Sequence, residues 1–156
     1  MHSRVFIIIT DPNCDIFDFY NSEDGAIIAQ EIDADYVCLE ELYEMENSVE
    51  WLKQAYNLKQ VEKIIHDDDG IEIDIYKINT KELLDGFQKE KEKRIALAKE
   101  CLDKGDLSGT AYWAYNAKEF FFYIDDNGPY NFIDILDHYK DLPENLYIIQ
   151  TFDYHF

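Results

Sequence analysis

Residues 60–105, QVEKIIHDDDGIEIDIYKINTKELLDGFQKEKEKRIALAKECLDKG, hold the passage that decides the fold. Gln60 to Ile65 and Ile71 to Ile78 are rich in β-branched residues and flank His66-Asp67-Asp68-Asp69-Gly70. An Asp-Gly pair between two apolar runs predicts a hairpin, because both residues tolerate the positive φ of a tight turn. Ile71, Ile73 and Ile75 alternate with Glu72, Asp74 and Tyr76, which predicts one buried face and one wet face. The pattern then changes period. Asn79 is a helix cap with Glu82 three residues on, and helix formers continue to about Lys104 before Gly105. Leu83, Leu84, Phe87, Ile95, Ala98 and Leu102 form its apolar stripe. A hairpin followed by a long helix points to α+β.

The flanking sequence extends this plan. Arg4 to Thr10 is a β-branched run that predicts a strand, and Leu146 to Tyr154 predicts another at the opposite end. The two are expected side by side in one sheet. Asn21 or Ser22 caps a helix running to about Ile32, and Asn47 with Glu50 predicts a cap for a helix to Tyr56. Residues 34–45 fit either a helix or the start of a strand. Thr110 to Tyr115 and Glu119 to Ile124, dense in aromatics, predict a second hairpin. A short helix is expected over about Asn131 to Tyr139. The expected whole is a single α+β domain over residues 1–156. It has a mainly antiparallel sheet, two hairpins, one long helix and two or three shorter ones. A chain of 156 residues with 47% apolar residues can bury a substantial core.

Charge narrows the function. There are 34 acids against 14 lysines and arginines, a net of −20. Direct binding to nucleic acid is excluded, since phosphate contacts need a positive footprint. No apolar run approaches the ~20 residues of a membrane span. Cys14, Cys38 and Cys101 are odd in number and widely spaced, so neither a disulfide framework nor a zinc site is expected, and a reducing cytoplasm is the expected setting.

The acid is unevenly distributed. Residues 1–52 carry 13 acids and one cation, Arg4. Half of the cations lie on the long helix, interleaved with acids at spacings such as Glu90–Arg94 and Glu100–Lys104. Uncompensated charge opposes compaction and sets a long-range field. The expected function is that of a binding protein without chemistry of its own. Most specifically it is a stoichiometric inhibitor that occludes the basic site of a nuclease or another nucleic-acid-handling protein. It would act as a nucleic-acid mimic of the anti-restriction or anti-CRISPR kind, or as an immunity or antitoxin protein. Duplex DNA carries one charge per ~1.7 Å, so twelve net charges match about 20 Å of duplex.

The candidate partner-binding residues are Asp11, Asp15, Asp18, Phe19, Tyr20, Glu23, Asp24, Glu40, Glu41, Glu44 and Glu46. The carboxylates supply the field and the aromatics the buried anchors. Asp106 to Thr110, DLSGT, resembles a five-residue stretch of the acidic antirestriction proteins, and the rest of the chain carries no such match. A homodimer would extend the acidic surface.

No catalytic residue, cofactor or metal is expected. The alternative of a small metal-dependent enzyme would draw on Asp134 with His138, four apart on a helix, or on Asp67 to Asp69. Contiguous turn residues diverge, however, and the oxygen spacing of a calcium loop is missing before both Gly70 and Gly128. A third possibility is an acidic structural or regulatory module whose charge only keeps it in solution.

Overall fold

The computed structural model describes residues 2–13, 24–68, 70–115 and 120–155. Its elements run β1 (His2–Ile9), α1 (Asp24–Glu31), β2 (Tyr36–Leu39), α2 (Leu42–Tyr56), β3 (Val61–Asp68), β4 (Ile71–Asn79), α3 (Thr80–Asp103), α4 (Leu107–Tyr115), β5 (Phe120–Ile124), β6 (Asn127–Tyr130), α5 (Phe132–His138) and β7 (Asn145–His155). The seven strands form one sheet in the order β3-β4-β7-β1-β5-β6, with β2 added on β7. Every ladder is antiparallel except β1 with β5. The fold is α+β, and the terminal strands do lie side by side, His2 opposite His155 and Ile9 opposite Tyr147.

The sheet is buried on both faces. Phe6, Ile8, Tyr76, Ile78, Phe120, Phe122, Leu146 and Ile148 point to a face covered by α2, α3 and α5. Val5, Ile7, Ile9, Phe121, Tyr123, Phe152 and Tyr154 point to the other, where Ile28 and Ile32 of α1 pack. The expected wet face of β4 holds at Glu72, which is exposed, and fails at Tyr76. Ile75 and Tyr76 are both buried, on opposite sides, because Tyr76 lies under the layer of α2, α3 and α5 and Ile75 in the cluster on the other face. Phe87 of α3 is the hub of the larger layer, with ring centroids 4.7 Å from Tyr56 and 5.3 Å from Phe122.

Two expectations about local structure fail. The cap at Asn47 is not used: α2 begins at Leu42, with Glu44 Oε2 accepting from the Glu41 amide at 2.9 Å, so Asn47 lies inside the helix. The ambiguous stretch 34–45 is a strand followed by that helix start. The second hairpin is absent, since Leu107–Tyr115 is helix α4 and β5 instead turns at Asp125–Asp126 into β6. The aromatic β propensity of residues 110–115 loses to a local cap, in which Asp106 Oδ1 accepts from the Gly109 amide at 2.9 Å. The first hairpin forms as expected, Asp68 opposite Ile71, with Gly70 at φ +82°. The long helix also forms, capped by Asn79, whose side chain accepts from the Glu82 amide at 3.0 Å.

Candidate acidic interface beside strand β2

β7 changes neighbours part-way along. It pairs with β4 up to Ile148 and with β2 from Phe152. The switch coincides with a register shift against β1, which leaves Ile149 without an opposite residue. A bulge at such a point redirects side chains and ends pairing. A groove of about 930 Å³ opens there, lined in part by Tyr36, Leu39, Glu41, Tyr43, Ile149 and Gln150. A second groove of about 760 Å³ lies between α1 and β2, with Asp33 and Asp35 on its wall, and it shares Tyr36 and Val37 with the first. Gly25 makes this closeness possible, since a Cβ there would stand 3.0 Å from the Val37 carbonyl oxygen.

The rim is acidic and aromatic. Asp33, Asp35 and Glu41 are exposed on it, and Tyr36 and Tyr43 are 52% and 63% exposed, a large apolar area to leave in water; Glu46 is exposed too but lines neither groove. The local field registers on Tyr43. The Glu44 charge, then partial desolvation and Glu41, push its phenol above the usual value. Tyr36 is also raised, first by its hydrogen bond with Cys38.

Of the expected binding residues, Asp15, Asp18, Phe19, Tyr20 and Glu23 lie outside the described residues. Glu41, Glu44 and Glu46 gather at the start of α2, and Glu44 doubles as its cap. Asp24 opens α1. Asp11 is exposed but belongs to another place. It follows the far end of β1, while β2 flanks the near end, and an eight-residue strand at ~3.3 Å per residue separates the two by more than about 20 Å.

Glu40 is a correction. Its side chain is only 4% exposed and serves the interior. Oε1 meets Arg4 Nε at 2.9 Å, and Oε2 accepts from Ser48 Oγ at 2.6 Å and Thr151 Oγ1 at 2.5 Å. Arg4 also pairs with Asp153 and lies over the Trp51 ring, 5.4 Å from its centroid. The one cation of the opening third is thus consumed internally by two carboxylates. Asp33, Asp35, Tyr36 and Tyr43 are the rim residues that the sequence did not single out. The stretch Asp33-Ala34-Asp35-Tyr36 would have pointed to the first three once residues 36–39 were read as a strand, whereas Tyr43 lies on α2.

The residues named for the enzymatic alternative make local contacts. His138 Nδ1 contacts the Asp134 backbone carbonyl at 2.8 Å, while the Asp134 carboxylate accepts from the Asn131 amide at 3.1 Å. Both are occupied in holding α5. Asp67 accepts from the Gly70 amide and so belongs to its turn. Among the described residues no group of three or more His, Cys, Asp or Glu is placed to hold a metal ion. Cys38 and Cys101 are free thiols, Cys38 exposed and Cys101 half-buried. No helix among the described residues is long and apolar enough to cross a membrane. Comparison with protein-family models, curated proteins and solved structures gives no match to this chain.

Proposed function

We propose that this chain is a binding protein that occludes a basic, nucleic-acid-handling site on another protein through the carboxylate rim of β2 and α2. One observation carries the proposal. Asp33, Asp35 and Glu41 stand exposed around two joined grooves with Tyr36 and Tyr43, while Arg4, the one cation of residues 1–52, is held inside by Glu40 and Asp153, and the exposed Glu46 lies outside the grooves where its charge acts on Lys63. The field is therefore directed outward. Carboxylates arranged this way steer a cationic surface in and disfavour an anionic one. The tyrosines add rigid contact area with one polar tip each, the usual chemistry of an interface anchor. The bulged, unpaired stretch of β7 supplies the concavity into which a partner side chain fits.

The test is capture from the native host at ~50 mM salt and elution at ~500 mM, where screening is much shorter-ranged. A cationic nucleic-acid-binding protein should elute, and its activity should fall on adding the purified chain. Reversal of Asp33, Asp35, Glu41 and Glu46 to Lys should abolish capture. Retained capture by that variant would overturn the proposal, and so would failure to retain any cationic protein at low salt.

A further inference from the structure

The α3–α4 hairpin stands apart from the rest of the molecule in two ways. The first is its packing. Leu83, Gly86, Phe87 and Arg94 of α3 are buried, but beyond Arg94 no residue of that helix is, and α4 buries none of its own residues. Ile95, Leu102, Leu107, Tyr112 and Tyr115 are half of the large apolar side chains exposed among the described residues, and all five lie on this hairpin. Between its helices runs an apolar groove of about 300 Å³, with Ile95, Leu102 and Trp113 on its walls, Ile133 of α5 at its base and Lys91 and Lys99 at its edge. Ile95 and Leu102 share this groove with Ala98, Trp113 and Ala114, whereas Leu107, Tyr112 and Tyr115 do not line it; a contiguous apolar groove, unlike isolated exposed apolar residues, marks an interaction surface.

The second is charge. Residues 80–115 carry seven cations and seven acids, so the whole net charge of −20 resides elsewhere. Many of the hairpin's charges pair locally, Glu90 with Arg94 at 2.9 Å and Glu100 with Lys104 at 2.5 Å. Any approach of two copies through their acidic bodies is opposed by repulsion. The neutral hairpin is where that repulsion is weakest.

We infer that this face is the interface between two copies of the chain, with the two α3–α4 hairpins packed into a four-helix bundle. Two helices with one apolar face form half of such a bundle. A two-fold interface pairs each patch with itself. An antiparallel arrangement would seat Ile95 of each copy against Leu102 of the other, with Lys91, which in the single chain pairs with Asp137 at 3.8 Å, near Asp103 of the second copy. The acidic rims of β2 and α2 would then be presented twice per assembly.

Sedimentation of the full chain between about 1 and 100 µM tests this. The expected particle is twice 18.5 kDa at the upper end. Raising salt from ~50 to ~500 mM should tighten the dimer, because it screens body-to-body repulsion. That sign is opposite to the one expected for capture of a cationic partner, so the two proposals fail separately. Ile95→Glu with Leu102→Glu should weaken the dimer by more than about tenfold with an unchanged circular dichroism spectrum. As a measurement independent of any variant, amide exchange over residues 95–115 should slow as concentration rises. A monomer at 100 µM at every salt would overturn the inference, whatever other protein then binds the groove. A dimer loosened by salt, one indifferent to the double substitution, or exchange that ignores concentration would overturn it equally.

Discussion

Arg4 Nε and Glu40 Oε1 meet at 2.9 Å in a pocket where the carboxylate is 4% exposed and the guanidinium 18%. This pair ties β1 to the chain entering α2, and Ser48 and Thr151 complete the carboxylate's hydrogen bonds. Removing one partner of a buried pair leaves an uncompensated charge, which costs far more than the pair contributes. Arg4 keeps Asp153, so the cost here falls at the low end of that range. Glu40→Ala should destabilise the fold by about 2–3 kcal/mol. Glu40→Gln, which keeps an acceptor for Ser48 and Thr151, should lose about 1 kcal/mol. Urea unfolding of the two variants at pH 7 gives both numbers, and equal losses would mean that the charge, not the hydrogen bonds, sets the cost.

The same carboxylate gives a pH signature. Burial raises the Glu40 pKa above its ordinary value, against the lowering effect of Ser48, Thr151 and Arg4. The folded chain therefore holds this proton more tightly than the unfolded chain. The resulting stabilisation is complete below the unfolded pKa and is lost as pH rises through the folded one. Glu40→Gln cannot titrate. The stability difference between wild type and Glu40→Gln should accordingly favour wild type most near pH 4 and shrink toward pH 7. Denaturant titrations at several pH values check the sign. A difference that grows with pH would show that ion pairing outweighs burial.

Most elements were legible because their signals are local. The Asp-Gly turn, the 3.6-residue period of α3 and the Asn79 cap all act within a few residues, and each forms as expected, whereas the 2-residue period of β4 holds at Glu72 and breaks at Tyr76. The failures have both local and tertiary causes: Asn47 loses to the Glu41–Glu44 capping box, and residues 110–115 to the Asp106 cap together with packing on α3. TAYWAY at residues 110–115 has strand composition, yet α3 offers it a surface at helix distance, and Gly109 keeps the contact close. A Cβ at Gly109 would stand 2.9 Å from Cys101 Sγ. Within the site, Glu40 and Glu41 are indistinguishable in sequence. Only the return of Arg4 and Thr151 from the two ends of the chain makes one internal and leaves the other on the rim.

Asn79 and Asn47 separate a real cap from an apparent one. Each is followed three residues later by Glu, so the sequence treats them alike. Asn79 accepts from the Glu82 amide, whereas Asn47 sits exposed within α2. Asn79→Ala should cost about 1 kcal/mol through an unsatisfied helix-end donor. Asn47→Ala should be neutral or gain a few tenths of a kcal/mol from helix propensity. Thermal unfolding of the pair decides, and a loss at Asn47 matching that at Asn79 would contradict the helix start at Leu42.

Gly86 tests the packing of α3 on α2. Glycine inside a helix ordinarily costs about 1 kcal/mol relative to alanine, so Gly86→Ala would stabilise an exposed helix. Here an added Cβ would stand 2.7 Å from Tyr56 Cβ and 2.9 Å from the Tyr56 carbonyl oxygen. The carbonyl is backbone at the end of α2, and the Tyr56 ring packs 4.7 Å from Phe87, so neither side yields without moving the core. Overpacking of this kind typically costs 1–3 kcal/mol, which outweighs the propensity gain. Gly86→Ala should therefore lower stability by about 1–2 kcal/mol and reduce the near-ultraviolet signal of the Tyr56–Phe87–Phe122 aromatic cluster. A stabilised variant with an unchanged aromatic spectrum would mean that α3 rides further from α2 than 2.7 Å allows.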